Sequence, residues 1–314
     1  MTSPVSSSLR VPYDLRQAKQ VERRMLVDLL QRLMQGGFPI RDYQYTGLGS
    51  IFFVDFILLH RVLGLSRLWS VEYDTTIERR VRFNKPFSHV QVFISPIGDI
   101  IPTLDRDLKH ILWLDYDYGL NKVVVADSAL AAYNLSPGSL LLVTVDVEPP
   151  AHSKVAADTM EFLREQAGSF FEPEWDESAF TRAQLGQTIA RIIFNAIANG
   201  IAGRPNTKFL TLFNFAYRDG HRMITVGGMI GTATEEKKLD RCDLASADYL
   251  RRDPSTPRCD IVVPNMTRKE RFYLDHHMPC PSGWVPSDFE MSGEDVAEYS
   301  KIYRYCPTFA ELFL

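Results

Sequence analysis

The sequence is poor in the features that would assign it at a glance. Its longest apolar stretch, residues 51–59, is interrupted by Asp55 and is far shorter than the roughly 20 residues that cross a bilayer. The first residues, MTSPVSSSLRVPYDLRQ, contain no apolar core of a secretory signal. Only four cysteines occur (Cys242, Cys259, Cys280, Cys306), none in C-x₂-C spacing. They read as reduced thiols of a cytoplasmic protein. Asp275-His276-His277-Met278-Pro279-Cys280 invites a zinc reading, but with no paired cysteines no metal site is expected. Charge of one sign is scarce too: 35 basic against 39 acidic residues give a net −4. No global positive field therefore attracts nucleic acid. With 45% hydrophobic and 24% charged residues the chain is not disordered, and 314 residues suit one elaborated α/β domain.

What is present is a strand–helix alternation. Residues 1–9 are Ser-rich and read as a frayed end. Residues 15–34 space Val21, Met25, Leu26, Leu29, Leu30 and Leu33 at helical intervals, with the charges mainly on the other face. Gly36-Gly37 ends this helix, which together with its flanks makes an N-terminal cap over 1–38. Strands are predicted at 42–46, 68–73, 89–95, 110–116 and 139–147, the last apolar throughout, as a strand buried on both faces should be. Helical segments follow at 51–63, 75–83 and 124–133, with a short helical link at 100–105. Such βα repetition predicts a doubly wound, mostly parallel sheet. After a helical insertion at about 149–206, two β-rich runs joined by Arg218-Asp219-Gly220-His221 read as an antiparallel hairpin. That closes a core over 39–230. Residues 231–314, with joints at Pro254, Pro257, Pro264, Pro279, Pro281 and Pro286, are expected to wrap this core.

The chemistry-bearing residues fall at strand ends. Gly47-Leu48-Gly49, flanked by Thr46 and Ser50, brings backbone close to a ligand, with a helix opening at Ser50 and pointing its N-terminus there. A dinucleotide fingerprint wants Gly or Ala three positions after Gly49, and Phe52 stands there instead. This disfavours an NAD-dependent oxidoreductase. Glu72 ends the second strand, beside Tyr73, where a carboxylate accepts both ribose hydroxyls of an adenosine ligand. Ser95, Gly98 and Asp99 leave the third strand where an adenine would lie. Asp115-Tyr116-Asp117 leaves the fourth strand beside the reactive centre, and its two carboxylates are candidate bases or cofactor anchors. Asp146 and Glu148 are weaker candidates on the acceptor side. Asp55 reads as a buried, hydrogen-bonded group.

RQAKQVERRML, YTGLGSIFFVDFILLHRVLG, FNKPF, LDYD, GSLLLVTVDVE and PNMTRKE, within about residues 10–275, resemble a little-characterised bacterial O-methyltransferase family. That family lies within the Rossmann-fold S-adenosylmethionine-dependent methyltransferases. The resemblance implies a seven-stranded sheet of order 3-2-1-4-5-7-6 and S-adenosylmethionine as cofactor. It implies that Gly47 and Gly49 form the methionine-binding turn and that Glu72 holds the ribose. Residues Ser95–Asp99 would flank the adenine, and Asp115 would lie near the methionine amino group or the acceptor. The chain departs from nucleic-acid amino-methylating enzymes at the fourth strand. It has Asp-Tyr-Asp-Tyr there rather than Asn- or Asp-Pro-Pro-aromatic, and Asn84-Lys85-Pro86-Phe87 mimics that motif at the wrong place in the sheet. The acceptor is unidentified. A nucleic acid or nucleotide would require the basic clusters (Arg23, Arg24; Arg79, Arg80, Arg82, Lys85; Arg268, Lys269, Arg271) to converge on the crevice rim. The rival reading is a catalytically silent S-adenosylmethionine- or nucleotide-binding partner protein of the same fold.

Overall fold

The computed structural model describes residues 16–253 and 256–307; the Ser-rich start and Pro254 lie outside them. Eight strands form one sheet: β1 (Gln44–Leu48), β2 (Arg67–Glu72), β3 (Val90–Ile94), β4 (His110–Gly119), β5 (Leu140–Asp146), β6 (Lys208–Asp219), β7 (His221–Gly231) and β8 (Cys259–Ile261). The order is β3-β2-β1-β4-β5-β7-β6-β8. It reproduces the expected seven-stranded arrangement and adds one strand. β8 pairs in parallel with β6, so the C-terminal segment does not only wrap the core. It supplies backbone partners to a strand that would otherwise be an open edge. β5 is buried along all but its last residue, and the β6–β7 hairpin turns at Gly220 with φ +93°, a conformation that glycine adopts without strain.

The helices are α1 (Gln17–Gln35), α2 (Val54–Leu63), α3 (Glu78–Phe83), α4 (Ile97–Ile100), α5 (Lys122–Asn134), α6 (Ala156–Ala167), α7 (Leu185–Ile201), α8 (Ala233–Leu239), α9 (Arg268–His277) and α10 (Gly293–Ile302). They divide the buried apolar side chains into two clusters, one containing the α1 residues and one containing those of α5 and α7. No helix among the described residues is long and apolar enough to cross a membrane.

Two local expectations need correction. The helix after β1 begins at Val54 rather than Ser50. Phe53 takes a left-handed backbone, φ 49°, and its ring meets Phe56 at 5.4 Å between centroids; the chain between β1 and α2 is therefore a loop. The charges of α1 are also not confined to its outer face. Lys19, Glu22 and Arg23 are buried along with Met25, Leu26 and Leu30. They can be, because each meets an opposite charge inside the protein.

α1 is anchored from 200 positions away. Its first N–H groups have no partner within the helix, and the Asp219 carboxylate at the hairpin turn receives two of them, from Ala18 at 3.1 Å and Lys19 at 2.8 Å. A negative charge there also complements the helix dipole. Asp219→Ala is expected to cost about 1 kcal/mol and to lower the melting temperature by about 2–4 °C. Asp219→Asn, which keeps an acceptor oxygen, should lose less. An unchanged melting temperature for Asp219→Ala would remove this cap from the explanation of how α1 docks.

Candidate active site

In a doubly wound sheet the ligand crevice opens where the strand order reverses, here between β1 and β4. A cavity of about 630 Å³ lies at that point, within the roughly 300–1,000 Å³ usual for small-molecule sites. The ends of β1, β2 and β4, the loop entering α4, the first turn of α2, Arg23 of α1 and Val123 and Asp127 of α5 contribute walls.

β4 shapes the cavity through an irregularity. Asp115 pairs with Thr144 and Gly119 with Asp146, so the register shifts between them. A strand that bulges re-aims its side chains, and Asp115, Tyr116, Asp117 and Tyr118 all line the cavity instead of alternating faces. Tyr116 is buried and donates to Asp127 Oδ2 at 2.7 Å. Asp127 is the cavity's carboxylate from α5, and burial raises its proton affinity against the pull of that hydrogen bond.

Glu72 closes the β2 side. Its Oε1 accepts the backbone N–H groups of Tyr73 (2.9 Å) and Asp74 (3.0 Å). Although these two bonds favour the anion, burial dominates and pushes the carboxyl up, with Asp74 and Asp117 adding to the rise. At the α1 side Arg23 pairs with Asp55, whose other oxygen receives the Tyr45 hydroxyl at 3.4 Å. Asp55 is thus partnered as expected, but it also lines the cavity. Asp115 meets Lys19 Nζ at 2.8 Å.

Of the expected site residues, Gly49, Ser50, Glu72, Tyr73, Ser95, Gly98, Asp115 and Asp117 border this cavity. Thr46, Gly47 and Asp99 do not. Thr46 is fully buried, within 3.3 Å of the Gln44 amide. A Cβ on Gly47 would lie 2.5 Å from the Tyr45 hydroxyl, so that glycine makes room for a neighbouring side chain. Asp99 accepts from Ser95 Oγ at 3.2 Å. Asp146 and Glu148 are taken up by His221 and by Arg182 and Arg222.

In the sequence Arg23 stands out only in a basic cluster and Asp127 in no motif, yet both leave a signal. Lys19, Glu22 and Arg23 stand at i, i+3 and i+4 in register with Leu26 and Leu30, on the apolar face. Asp127 shares a face with the buried Val124, Ser128 and Ala131. A charged residue at an apolar position of an amphipathic helix marks a buried partner or a ligand.

Gly49 differs from expectation in its reason. A Cβ there would sit 2.9 Å from Glu72 Cβ and 3.0 Å from the Val71 carbonyl oxygen, so the residue is glycine first because β1's end packs against β2. Gly49→Ala is expected to destabilise the ligand-free protein by about 1–3 kcal/mol through overpacking. Gly203→Ala, where a Cβ would meet nothing within 4 Å, is the control. Equal melting temperatures for the two variants would contradict the packing role.

Sequence and structure comparisons bear on this site. The search of curated proteins returns no match. Similar solved structures include the O-methyltransferase TomG of Streptomyces achromogenes, in complex with S-adenosylmethionine (17% identity, 67% of this chain and 80% of that one, TM-score 0.38). Another is an O-methyltransferase of Bacillus cereus in complex with S-adenosylhomocysteine (14% identity, 73% and 93%, TM-score 0.38). A third is Trm1 of Pyrococcus horikoshii with S-adenosylmethionine (11% identity, 70% and 57%, TM-score 0.44). Residues 11–314 match the model of the family described as "Putative O-methyltransferase", and with that match spanning nearly the whole chain, the protein belongs to this family.

Proposed function

We propose that the protein is an S-adenosylmethionine-dependent methyltransferase acting on an acceptor hydroxyl, in keeping with its family. The observation that carries the cofactor assignment is the charge of the cavity. Five carboxylates (Asp55, Glu72, Asp115, Asp117, Asp127) line it against one guanidinium, Arg23. A dinucleotide would bring its pyrophosphate into like charge, with Asp55 in the first turn of α2 where a phosphate would want a bare helix N-terminus. A sulfonium ligand of net positive charge suits the same walls.

The residues divide the ligand's groups among them. Glu72 has one oxygen committed to backbone, which leaves the other to receive ribose hydroxyls. Asp127 and the Ser95–Gly98 turn meet beside Tyr116 and offer an acceptor edge and an apolar wall to an adenine. A Cβ on Gly98 would come within 2.9 Å of Asp127 Oδ1, so the two sides approach closely. At the other end Arg23 and Asp115 stand near enough to influence one another. They offer a cation and an anion to the two charged groups of an amino acid. Of the two carboxylates expected to do chemistry, Asp117 lies near enough to Glu72 and Tyr73 to raise both, which favours a role at the ribose end. That leaves Asp115 for the amino-acid end. When bound, the cofactor supplies an electrophilic methyl group on sulfur. The chain's contribution is to orient that group, exclude water with Phe53, Phe56 and Tyr116, and neutralise charge. The four free cysteines and the family fit a protein of the cytoplasm.

Glu72 tests this reading. Charge-assisted hydrogen bonds are worth about 1.5–3 kcal/mol, so Glu72→Gln should weaken S-adenosylmethionine and S-adenosylhomocysteine alike, by roughly tenfold to a few hundredfold. The ligand needs the anion, and the folded carboxyl titrates above its ordinary value. Wild-type affinity should therefore fall on acidification before an ordinary carboxylate would protonate. Stability moves the other way. A group whose folded pKa is raised stabilises the protein below its unfolded value and loses that contribution as pH rises through the folded one. Ionised Glu72 is thus a cost at neutral pH, and ligand-free Glu72→Gln should melt higher than wild type. Titration calorimetry and thermal melts read both; equal ligand affinity in variant and wild type would take Glu72 out of the site.

A further inference from the structure

Behind the cavity lies a buried ion pair, Lys19 and Glu22, that the proposed function does not use, although it touches a carboxylate that the function does use. Lys19 is 1% exposed. Its Nζ is 2.8 Å from Glu22 Oε2, one turn along α1, and 2.8 Å from Asp115 Oδ1 on β4. The same ammonium lies 4.3 Å above the Trp113 ring and 5.6 Å from the centre of the Tyr217 ring. Trp113 is itself fixed by its indole N–H donating to Thr144 Oγ1 at 2.9 Å. An ammonium held on so many sides has one position, so Asp115 Oδ1 has one position as well. Glu22 is also 1% exposed, and burial raises its proton affinity, with Lys19 opposing and Asp115 adding. Asp115 keeps 22% of its side chain exposed and borders the cavity.

A lysine buried for stability alone would do better as an apolar residue. A buried cation that fixes one oxygen of a cavity-lining carboxylate is the arrangement of a supported binding site. We propose that Lys19 is the positioning residue of the donor site. Its buried ammonium holds the Asp115 carboxylate in the orientation that receives the donor's α-ammonium group. This rests on the S-adenosylmethionine reading above, and it makes α1 part of the binding machinery instead of a cap over the core.

Lys19→Met alone would leave Glu22 and Asp115 without their cation and could unfold the protein. The informative variant is the double substitution Lys19→Met/Glu22→Gln in the full chain, with Glu22→Gln alone as control. Titration calorimetry with S-adenosylmethionine, S-adenosylhomocysteine and 5′-methylthioadenosine, which lacks the amino-acid portion, separates positioning from structure. The double variant is expected to bind the first two roughly tenfold to a hundredfold more weakly and 5′-methylthioadenosine as wild type does. Glu22→Gln, which keeps an acceptor oxygen for the Lys19 ammonium, should lose less than the double variant for the first two ligands and nothing for the third. If the double variant binds S-adenosylmethionine normally, or loses all three ligands equally, Lys19 is structural and the assignment is overturned. Wild-type protein that binds none of the three would overturn the donor reading and this assignment together. The two failures are therefore distinguishable.

Discussion

The burial of charge along the inner face of α1 is the constraint on which the site depends. Taking an ammonium and a guanidinium out of water costs several kcal/mol each unless partners repay it. Lys19 and Arg23 find those partners in Asp115 and Asp55, one on β4 and one on α2. Both partners line the cavity. The helix can therefore dock in only one register, the one that brings the cavity's charged end together. The Asp219 carboxylate at the start of the same helix ties that register to the distal hairpin.

The rest of the site follows from the sheet. A reversal of strand order leaves a gap above β1 and β4 whatever the sequence. The sequence decides what fills its walls. Gly49 lets β1's end close onto β2, the β4 irregularity brings four consecutive residues to the cavity, and carboxylates come from four separate elements. Repulsion among them is tolerated because Arg23 and Lys19 offset part of it and because burial lets Glu72 and Asp127 hold protons more tightly. Such a surface is unfavourable when empty and selects a cation when filled, the trade of stability against function seen at binding sites generally.

Most of the fold was legible in the sequence because it is written in local patterns. The strands, the Asp219-Gly220 turn and the apolar stripe of α1 each depend on a few neighbouring residues. β8 was not legible: three residues carry no periodicity, and its pairing is set by the edge that β6 leaves open. The start of α2 was misplaced because apolar residues run on from 51 to 54 while Phe53 adopts a backbone that no composition announces. Glu72, Gly49 and Asp115 border the cavity as expected because they stand at strand ends, where the crevice of such a sheet opens. Lys19, Arg23 and Asp127 were passed over because they sit inside helices, where a charge is read as solvated unless its face is projected. Gly47 was expected as half of the Gly47–Gly49 turn and Thr46 as its flank, but both lie inside β1, and only the residues at its end, Leu48 and Gly49, reach the cavity.

The central claim is that one cavity holds one ligand in one direction, ribose at Glu72 and amino-acid group at Arg23 and Asp115. A crystal structure of the protein grown with S-adenosylhomocysteine tests it directly. The expected result is the ligand in the cavity between β1 and β4, its ribose hydroxyls on Glu72, its adenine between the Ser95–Gly98 turn and Asp127, and its α-ammonium on Asp115. A ligand bound in the reverse direction, or in the smaller cavity between α1 and α9, would contradict it.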